Sequence, residues 1–383
     1  MQKSKKKKIL LIILLISMFI VIPNMLISAQ GDIEIPIEEK NSNKIINTRP
    51  PQESSVYYED TTGYACGVHV SGDYAYVADR DSGLAVIDIS DPTNPGTPIY
   101  ENTTGWAENV YVSGDYAYVA AGSSGLAVIF IFDPTNPGTP IYEDTPEIAI
   151  GIYVSGDYAY VADRESGLAI INVSDPTNPG TPVYENTTGQ ARGVYVSGDY
   201  AYVAAGNLGL AVINVSDLTN PGMPVYEDTD GYAFDVYVVG DYAYVADYES
   251  GLAIIDISDP TNPGTPIYED TIRKAHGVYV SGDYAYVADG GWGLAVIDIS
   301  DPTNPGTPVY ANTNGFAFDV YVVGDYAYMA NGEGLVVIDV SDPTNPGKPG
   351  GAIPFELIII SSVIVGGAVI GVAVVILLRR KRK

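Results

Sequence analysis

Seven copies of one segment follow each other along this chain at a constant spacing of 42 residues, as from Asp73 to Asp115. Each copy contains the sequence Gly-Asp-Tyr-Ala-Tyr, whose aspartates are Asp73, Asp115, Asp157, Asp199, Asp241, Asp283 and Asp325. A fixed period of this length is typical of repeat folds, in which every repeat is one supersecondary unit. The period therefore constrains the fold more than any other feature.

One copy predicts four short β-strands. In the third copy, apolar or alternating runs at 151–156, 157–162, 167–174 and 182–187 are separated by glycines and by the turn sequence Asp-Pro-Thr-Asn-Pro-Gly at 175–180. Proline cannot join a strand ladder, and Asp and Asn bind the local backbone in turns. Four strands in about 42 residues indicate a β-propeller blade. The alternating Tyr and Ala of the second strand would give each blade one face of large side chains and one of small side chains.

The strand count predicts how the ring closes. The chain has seven sets of the first three strands but only six internal fourth strands, and the last copy ends at its turn, 341–347. The segment 56–62, ahead of the first copy, matches the fourth-strand pattern, because Tyr58 lies 42 residues before Tyr100. We expect this leading strand to complete the last blade and so remove an open sheet edge. The predicted fold is an all-β, seven-bladed β-propeller followed by a C-terminal transmembrane helix.

The third-strand run resembles a known repeat. The sequence Gly-Leu-Ala-Val-Ile-Asp-Ile-Ser-Asp-Pro at 83–92, and Leu-Val-Val-Ile-Asp at 335–339, is similar to the LVIVD repeat of bacterial and archaeal surface proteins. The resemblance covers about residues 56 to 347. It implies a propeller, but it implies no catalytic residues, because the family is largely of unknown activity. Two residues of the second copy depart from the pattern: Phe130 stands where other copies have Asp or Asn, and Phe132 stands where they have Ser.

Both chain ends differ from the repeats. Residues 1–29 combine five lysines, an apolar run and small residues, which predicts a cleaved signal peptide or an N-terminal anchor. A polar linker is expected at 30–54 and a short linker at 348–354. Residues 355–378 are long and apolar enough for one transmembrane helix, and the basic tail 379–383 predicts a cytoplasmic C-terminus. We expect the propeller, 55–347, to lie on the extracellular side of the cell membrane.

The charge distribution excludes one class of partner. Between residues 56 and 347 the chain has 41 acidic and five basic residues. A surface this acidic repels nucleic acid, so we expect no nucleic-acid partner. The single cysteine, Cys66, permits no internal disulfide, and with two histidines it predicts no zinc site.

The copies differ on one face of the predicted disc. The turns after the first and third strands are nearly invariant, whereas the connections on the opposite face vary. Loops on a repeated scaffold are typical sites of recognition, although loops also vary freely without a function. The candidate binding residues on this variable face are Trp106, Glu108, Arg192, Tyr232, Phe234, Lys274, His276, Trp292, Phe316 and Phe318.

Three polar residues near the channel are candidate metal ligands. Asn109, Asp235 and Asp319 begin the innermost strands of blades two, five and seven, where oxygen ligands that meet on the axis would suit Ca²⁺. A bound ion would polarise an ester or activate water, as in a lactonase-like hydrolase. The alternative is that these residues only line a hydrated channel. No cofactor other than Ca²⁺ and no catalytic residue is predicted.

Several other conspicuous residues have structural interpretations. His69 occupies a position that is tyrosine in the other copies, so we interpret it as a packing substitution. Asp88 and its equivalents are expected to bind nearby backbone N–H groups. Asn102 and Asn186 lie in Asn-x-Thr sequons and are predicted glycosylation sites.

The sequence favours a binding module over an enzyme. The preferred hypothesis is a membrane-anchored extracellular propeller that recognises a protein or a glycan through its variable face. The alternatives are a Ca²⁺-dependent hydrolase centred on the channel and a purely structural coat component.

Overall fold

The computed structural model describes residues 55–347 and two short paired strands, Ile364–Val365 and Ala368–Val369. The predicted signal peptide, both linkers and the basic tail lie outside the described residues. Of the predicted transmembrane segment, only those four strand residues are described, and a helix is not shown there. No helix in the described ranges is long and apolar enough to cross a bilayer.

Residues 55–347 form seven four-stranded antiparallel sheets, which are the blades. The leading strand is β1 (Val56–Ala65). Blade 1 contains β2 (Gly67–Ser71), β3 (Tyr74–Ala78), β4 (Leu84–Asp88) and β5 (Ile99–Glu101). Blade 2 contains β6 (Asn109–Ser113), β7 (Tyr116–Ala120), β8 (Leu126–Phe130) and β9 (Ile141–Glu143). Blade 3 contains β10 (Gly151–Ser155), β11 (Tyr158–Ala162), β12 (Leu168–Asn172) and β13 (Val183–Glu185). Blade 4 contains β14 (Val194–Ser197), β15 (Tyr200–Ala204), β16 (Leu210–Asn214) and β17 (Val225–Glu227).

The last three blades follow the same plan. Blade 5 contains β18 (Asp235–Val239), β19 (Tyr242–Ala246), β20 (Leu252–Asp256) and β21 (Ile267–Glu269). Blade 6 contains β22 (Gly277–Ser281), β23 (Tyr284–Ala288), β24 (Leu294–Asp298) and β25 (Val309–Ala311). Blade 7 contains β26 (Asp319–Val323), β27 (Tyr326–Ala330) and β28 (Gly332–Asp339), and the two short strands beyond it are β29 and β30. The first strand of each blade lies innermost.

The leading strand completes blade 7, as the strand count predicted. Strand β1 pairs with β28 in an antiparallel register that places Val56 opposite Ile338 and Tyr58 opposite Val336. The sheet order is β1-β28-β27-β26, so the outer strand of the last blade comes from the beginning of the propeller. Blades 7 and 1 share a buried cluster in which Val68 and Tyr328 take part, so the ring is closed.

Tight turns on the invariant face fix the strand register. Gly72 and its six equivalents have φ of 56–58°, a conformation that favours glycine, and they join the first two strands of each blade. At the end of the third strand, the Asp88 carboxylate accepts a bond of 2.8 Å from the Ser90 backbone N–H. The proline turn that follows is held in the same way, since Asp91 accepts bonds from the backbone and side chain of Thr93. These bonds confirm the structural interpretation of both aspartate series.

Each blade packs its large face against the small face of the next. Between blades 4 and 5, Tyr202 and Leu210 lie in one buried cluster with Ala243 and Ala253. The side chains of Leu210, Ala243 and Ala253 are fully buried. Burial of apolar surface stabilises by roughly 25 cal/mol per Å². The core therefore consists of seven equivalent interfaces arranged around the channel.

Candidate functional site at the mouth of the central channel

The residues that precede the innermost strands form the mouth of the channel. Their backbone N–H groups all bond to the carbonyl of the last residue of the second strand, as Cys66 does to Ala78 at 2.8 Å and His276 to Ala288 at 2.9 Å. On this uniform backbone the seven side chains are Cys66, Glu108, Ile150, Arg192, Phe234, His276 and Phe318. All seven line a cavity of about 150 Å³ on the variable face.

The next residue of each copy forms a second layer in which polar side chains sit between glycines. Around the ring this layer reads Gly67, Asn109, Gly151, Gly193, Asp235, Gly277 and Asp319. A Cβ on Gly193 would lie 2.6 Å from Oδ1 of Asp235, and a Cβ on Gly277 would lie 2.8 Å from Cα of Asp319. A side chain at Gly193 or Gly277 would therefore collide with the aspartate of the next blade, so both positions require glycine.

The two second-layer carboxylates bond to backbone groups. Oδ2 of Asp235 accepts a bond of 3.0 Å from Val278 N–H, and Oδ2 of Asp319 accepts one of 2.9 Å from Val68 N–H across the ring closure. Burial raises the pKa of Asp235. Burial, and then repulsion from Asp235, raise the pKa of Asp319. The two carboxyl groups thus interact with each other inside the channel, although they belong to blades 5 and 7.

A continuous ring of aromatic side chains follows two residues further along the inner strands. Neighbouring ring centroids lie 4.5–4.9 Å apart around the whole circle of His69, Tyr111, Tyr153, Tyr195, Tyr237, Tyr279 and Tyr321. The hydroxyl groups bond to one another, as Tyr153 does with Tyr111 and Tyr195. His69 is packed between Tyr111 and Tyr321, and burial lowers its pKa to about 4. The interpretation of His69 as a packing substitution agrees with this geometry.

Aromatic side chains are concentrated on one side of the channel mouth. Phe234 stacks on Tyr248 at 5.0 Å and meets His276 edge-on at 4.6 Å. His276 also contacts Phe316 and Phe318 at 5.0 and 5.4 Å. Tyr64, from the leading strand, meets Phe318 at 5.2 Å. We call this set the aromatic arc: Tyr64, Tyr232, Phe234, Tyr248, His276, Phe316 and Phe318.

Basic side chains lie over the rings around the arc. The Arg192 guanidinium lies 4.4 Å from the centre of the Phe234 ring, and its Nε donates to the Tyr232 hydroxyl at 3.3 Å. Lys274 lies 4.2 Å from the centre of the Tyr248 ring. These cation–π contacts hold basic groups at the rim of an otherwise acidic domain.

Arg80 makes a similar set of contacts at another part of the channel mouth. Arg80 lies over the rings of Tyr64 and Trp106 and pairs with Glu108 at 3.3 Å. Trp106 is 55% exposed. Further from the channel, Arg273 lies over Trp292. Four basic residues of the variable face, Arg80, Arg192, Arg273 and Lys274, therefore lie against aromatic rings.

Two further titratable groups of the cavity, His276 and Cys66, are held neutral. Burial, with repulsion from Arg192 and Lys274, lowers the pKa of His276 to about 4. Burial raises the pKa of the Cys66 thiol to about 12, so it is not a reactive thiolate. Among residues 55–347, no group of three or more His, Cys, Asp or Glu side chains is arranged to hold a metal ion.

A family model for the LVIVD repeat matches seven segments of the chain, at residues 62–98, 104–141, 148–182, 188–229, 230–266, 272–312 and 314–350. The chain belongs to the LVIVD-repeat family. The resemblance drawn from residues 83–92 and 335–339 is thereby confirmed. No curated protein matches this LVIVD-repeat chain in sequence.

Solved structures similar to the LVIVD-repeat propeller include one described as WD40 repeats and one described as a β-propeller domain. The RRP9 WD40 repeats match with a TM-score of 0.62 at 9% identity, over 75% of this chain and 97% of the other. U3-55K matches with a TM-score of 0.61 at 9% identity, over 74% and 98%. The Myceliophteria thermophila Cps50 (Swd1) β-propeller domain matches with a TM-score of 0.60 at 10% identity, over 74% and 98%. At these identities the likeness shows the fold alone.

The structure brings together many of the sequence-predicted residues of the LVIVD-repeat chain. The cavity is lined by eight of them: Glu108, Asn109, Arg192, Phe234, Asp235, His276, Phe318 and Asp319. Tyr232, Lys274 and Phe316 contact the cavity-lining residues or the arc, whereas Trp106 and Trp292 lie outside the cavity. Asn102 and Asn186 are exposed, as a glycosylation site requires.

Sequence reasoning missed Tyr64, Arg80 and Tyr248 as parts of this site. Arg80 and Tyr248 both have positive φ, which is uncommon for these residue types. Their position in the repeat could have identified them. The loop after the second strand forms a β-bridge to the residue that precedes the mouth residue of the next blade, as Arg80 does to Ala107 and Tyr248 to Ala275.

Proposed function

We propose that this LVIVD-repeat chain is a membrane-anchored, extracellular recognition module that binds a protein or a glycan through its variable face. The observation that carries the proposal is the contrast between the two faces. One face repeats the same glycine and aspartate turns in every blade. The other carries an asymmetric set of aromatic and basic side chains around one cavity. Tyrosine, tryptophan and arginine are the residue types enriched at binding hot spots.

The composition of the variable face suits recognition better than catalysis. Aromatic faces stack on apolar or sugar surfaces, and cations at the rim supply directional donors. Burial keeps the Cys66 thiol protonated, so it is not prepared as a nucleophile, and the neutral ring of His276 is not prepared as a general acid. The fold itself is widely used for protein interaction, and this supports the general class of function.

Display at a membrane is supported by sequence alone. The apolar segment at 355–378 with its basic tail predicts a single span, and the lysine-rich beginning predicts export. The chain leaves blade 7 through its proline turn, on the invariant face. We therefore propose that the invariant face lies toward the membrane and that the aromatic arc faces outward.

The proposal is tested by comparing which proteins or glycans are captured by the full chain and by a variant that is substituted on the variable face. Replacing Trp106, Tyr232 and Phe316 with alanine removes aromatic surface that is exposed at Trp106 and half-buried at the other two, and none of the three belongs to a blade core. We therefore expect loss of most captured protein or glycan. Replacing Phe132 and Met223, which are exposed elsewhere on the disc, is the matched control. Equal capture by both variants would contradict recognition through this face and would favour the structural-coat hypothesis.

The Ca²⁺-dependent hydrolase stays an alternative hypothesis without a specific observation in its favour. Ca²⁺ takes six to eight oxygen ligands, and Asp235 and Asp319 supply only two carboxylates. A chelator that lowers the unfolding temperature of the chain, with recovery on added Ca²⁺, would restore this hypothesis.

A further inference from the structure

The cavity at the channel mouth contains two carboxylates without a cationic partner. Asp235 and Asp319 bond to backbone N–H groups and interact with each other, and no basic side chain among residues 55–347 pairs with either. The basic groups nearby are already engaged, since Arg80 pairs with Glu108 and Arg192 lies on Phe234. A buried carboxylate that lacks a cation is costly. Burial therefore raises the pKa of both carboxyls, and a cation placed between them would stabilise their ionised form.

The walls of this cavity are aromatic. Phe234, His276 and Phe318 line the cavity and contact one another at ring distances of 4.6 and 5.4 Å. Nε2 of His276 is buried and has no hydrogen-bond partner among the described residues. Aromatic faces beside a carboxylate attract an organic cation both electrostatically and by burial of its alkyl groups.

The charges of the cavity lining indicate which ligand charge the cavity would balance. The cavity contains three carboxyl groups, of Glu108, Asp235 and Asp319, and two guanidinium groups, of Arg80 and Arg192. Burial raises the pKa of Asp235 and Asp319, so a cation between them would favour the ionised form of both. The five groups then carry one net negative charge beside a neutral His276, and a single positive charge balances it. A divalent metal ion would leave an excess positive charge and would find too few oxygen ligands.

We propose that this cavity binds a monovalent organic cation, an alkylammonium or quaternary ammonium group, between the Asp235 and Asp319 carboxylates and the rings of Phe234, His276 and Phe318. The cavity of about 150 Å³ suits a small head group and not a whole macromolecule. The ligand is either a free amine or the ammonium group of a larger molecule that lies on the variable face. This inference does not depend on membrane anchoring or on the aromatic arc outside the cavity.

Arg192 gives the proposal its sharpest prediction. Its guanidinium occupies one face of Phe234 and lies at the rim of the same cavity, so it repels an incoming ammonium group and competes for the ring. Arg192→Gln should therefore strengthen binding of an organic cation about threefold or more. An acidic sugar or other anion would depend on Arg192, and the same substitution would weaken its binding.

The experiment is calorimetric titration of the full chain with n-propylammonium and tetramethylammonium chloride, against sodium chloride at equal ionic strength. We expect saturable binding of at least one ammonium salt, weakened about tenfold or more by Asp235→Asn and by Asp319→Asn. These substitutions keep the side-chain volume. The matched controls are Asp241→Asn and Asp325→Asn, in the turns of the same two blades on the opposite face, and these should bind as the native chain does.

Three results would overturn the proposal. The first is no ammonium binding beyond that of sodium. The second is ammonium binding that survives both channel substitutions or weakens in Arg192→Gln. The third is saturable binding of Ca²⁺ or glucuronate at the cavity in place of ammonium. Loss of ligand capture by the Trp106, Tyr232 and Phe316 variant with intact ammonium binding would separate this site from the proposed recognition face.

Discussion

Single residues decide how the seven near-identical copies differ around the channel. Position 69 is histidine where the other six copies carry tyrosine, and its ring contacts Tyr111 and Tyr321 with the same spacing as the tyrosine pairs. His69 is 8% exposed, and burial lowers its pKa to about 4 from 6.5. The folded protein therefore holds a neutral histidine that the unfolded chain would protonate.

His69→Tyr should make the propeller more resistant to acid. A histidine with a lowered folded pKa contributes its full stability above pH 6.5, and this contribution is lost as pH falls toward 4. At pH 5 the native chain loses about 2 kcal/mol of its free energy of unfolding through this histidine, and the tyrosine variant does not. The stability of the variant relative to the native chain should therefore be about 2 kcal/mol greater at pH 5 than at pH 8. Denaturant unfolding at both pH values measures this difference. A pH-independent difference between the two proteins would contradict it.

At the scale of strands and loops, an aspartate after the second strand joins four of the blades to the loop that comes from the previous blade. Asp247, after the second strand of blade 5, accepts bonds from the Thr229 hydroxyl at 2.6 Å and from Gly231 N–H at 2.8 Å. Equivalent aspartates are Asp79, Asp163 and Asp289. Two copies have Ala121 or Ala205 at this position, and there the loop threonine donates to a glycine carbonyl instead.

In five blades a tyrosine of the outer strand makes a second bond to the same loop; these are Tyr58, Tyr100, Tyr142, Tyr268 and Tyr310. The hydroxyl of Tyr268 accepts a bond of 2.8 Å from Asp230 N–H, which belongs to the loop that enters blade 5. Tyr100 and Tyr142 make the same contact with Thr62 and Thr104. These bonds hold the loops that carry the aromatic arc, so loop position depends on side chains that the repeat keeps nearly constant.

Asp247→Ala should destabilise the chain by about 1 to 3 kcal/mol, because Thr229 and the Gly231 N–H lose a buried partner. The double variant Asp247→Ala, Thr229→Val should lose less stability than the sum of the losses of the two single variants. The reason is that each single variant leaves one partner of the bond unpaired, whereas the double variant removes both partners. Asp241→Ala, in an exposed turn of the same blade, is the control and should change stability by less than about 0.5 kcal/mol. Strictly additive losses would show that the pair does not interact.

At the scale of the whole molecule, stability depends on one strand that the chain supplies out of order. Every other outer strand follows directly from its own blade, whereas β1 joins β28 across the whole propeller. Its loss would expose the edge of blade 7 and separate the two ends of the ring. The closure is therefore a tertiary contact with a large loop-closure cost.

A disulfide across this closure should stabilise the ring more than the same link inside a blade. Tyr58 and Val336 lie opposite each other between β1 and β28, at a spacing that a disulfide can bridge. In a Cys66→Ser background, cysteines at 58 and 336 would close a loop of the whole propeller and contribute up to about 5 kcal/mol. The equivalent pair at 253 and 268 closes a short loop and should contribute up to about 3 kcal/mol.

Denaturant unfolding of the oxidised and reduced forms of both variants measures the two contributions. Equal stabilisation by the two links would mean that β1 stays paired in the denatured ensemble, or that closure adds little.

The sequence by itself determined the number of blades, the strands within them, the closing strand and the two unlike faces. These features are local or periodic, so they can be recognised from short sequence patterns that repeat every 42 residues. It also selected Asn109, Asp235, Asp319 and the mouth residues as candidates. Only the tertiary structure decided that Asp235 and Asp319 share one cavity, that His69 completes a ring of tyrosines, and that Arg192 lies on Phe234. Those contacts join different blades, so they depend on how the closed ring brings distant copies around one axis, which no local pattern specifies.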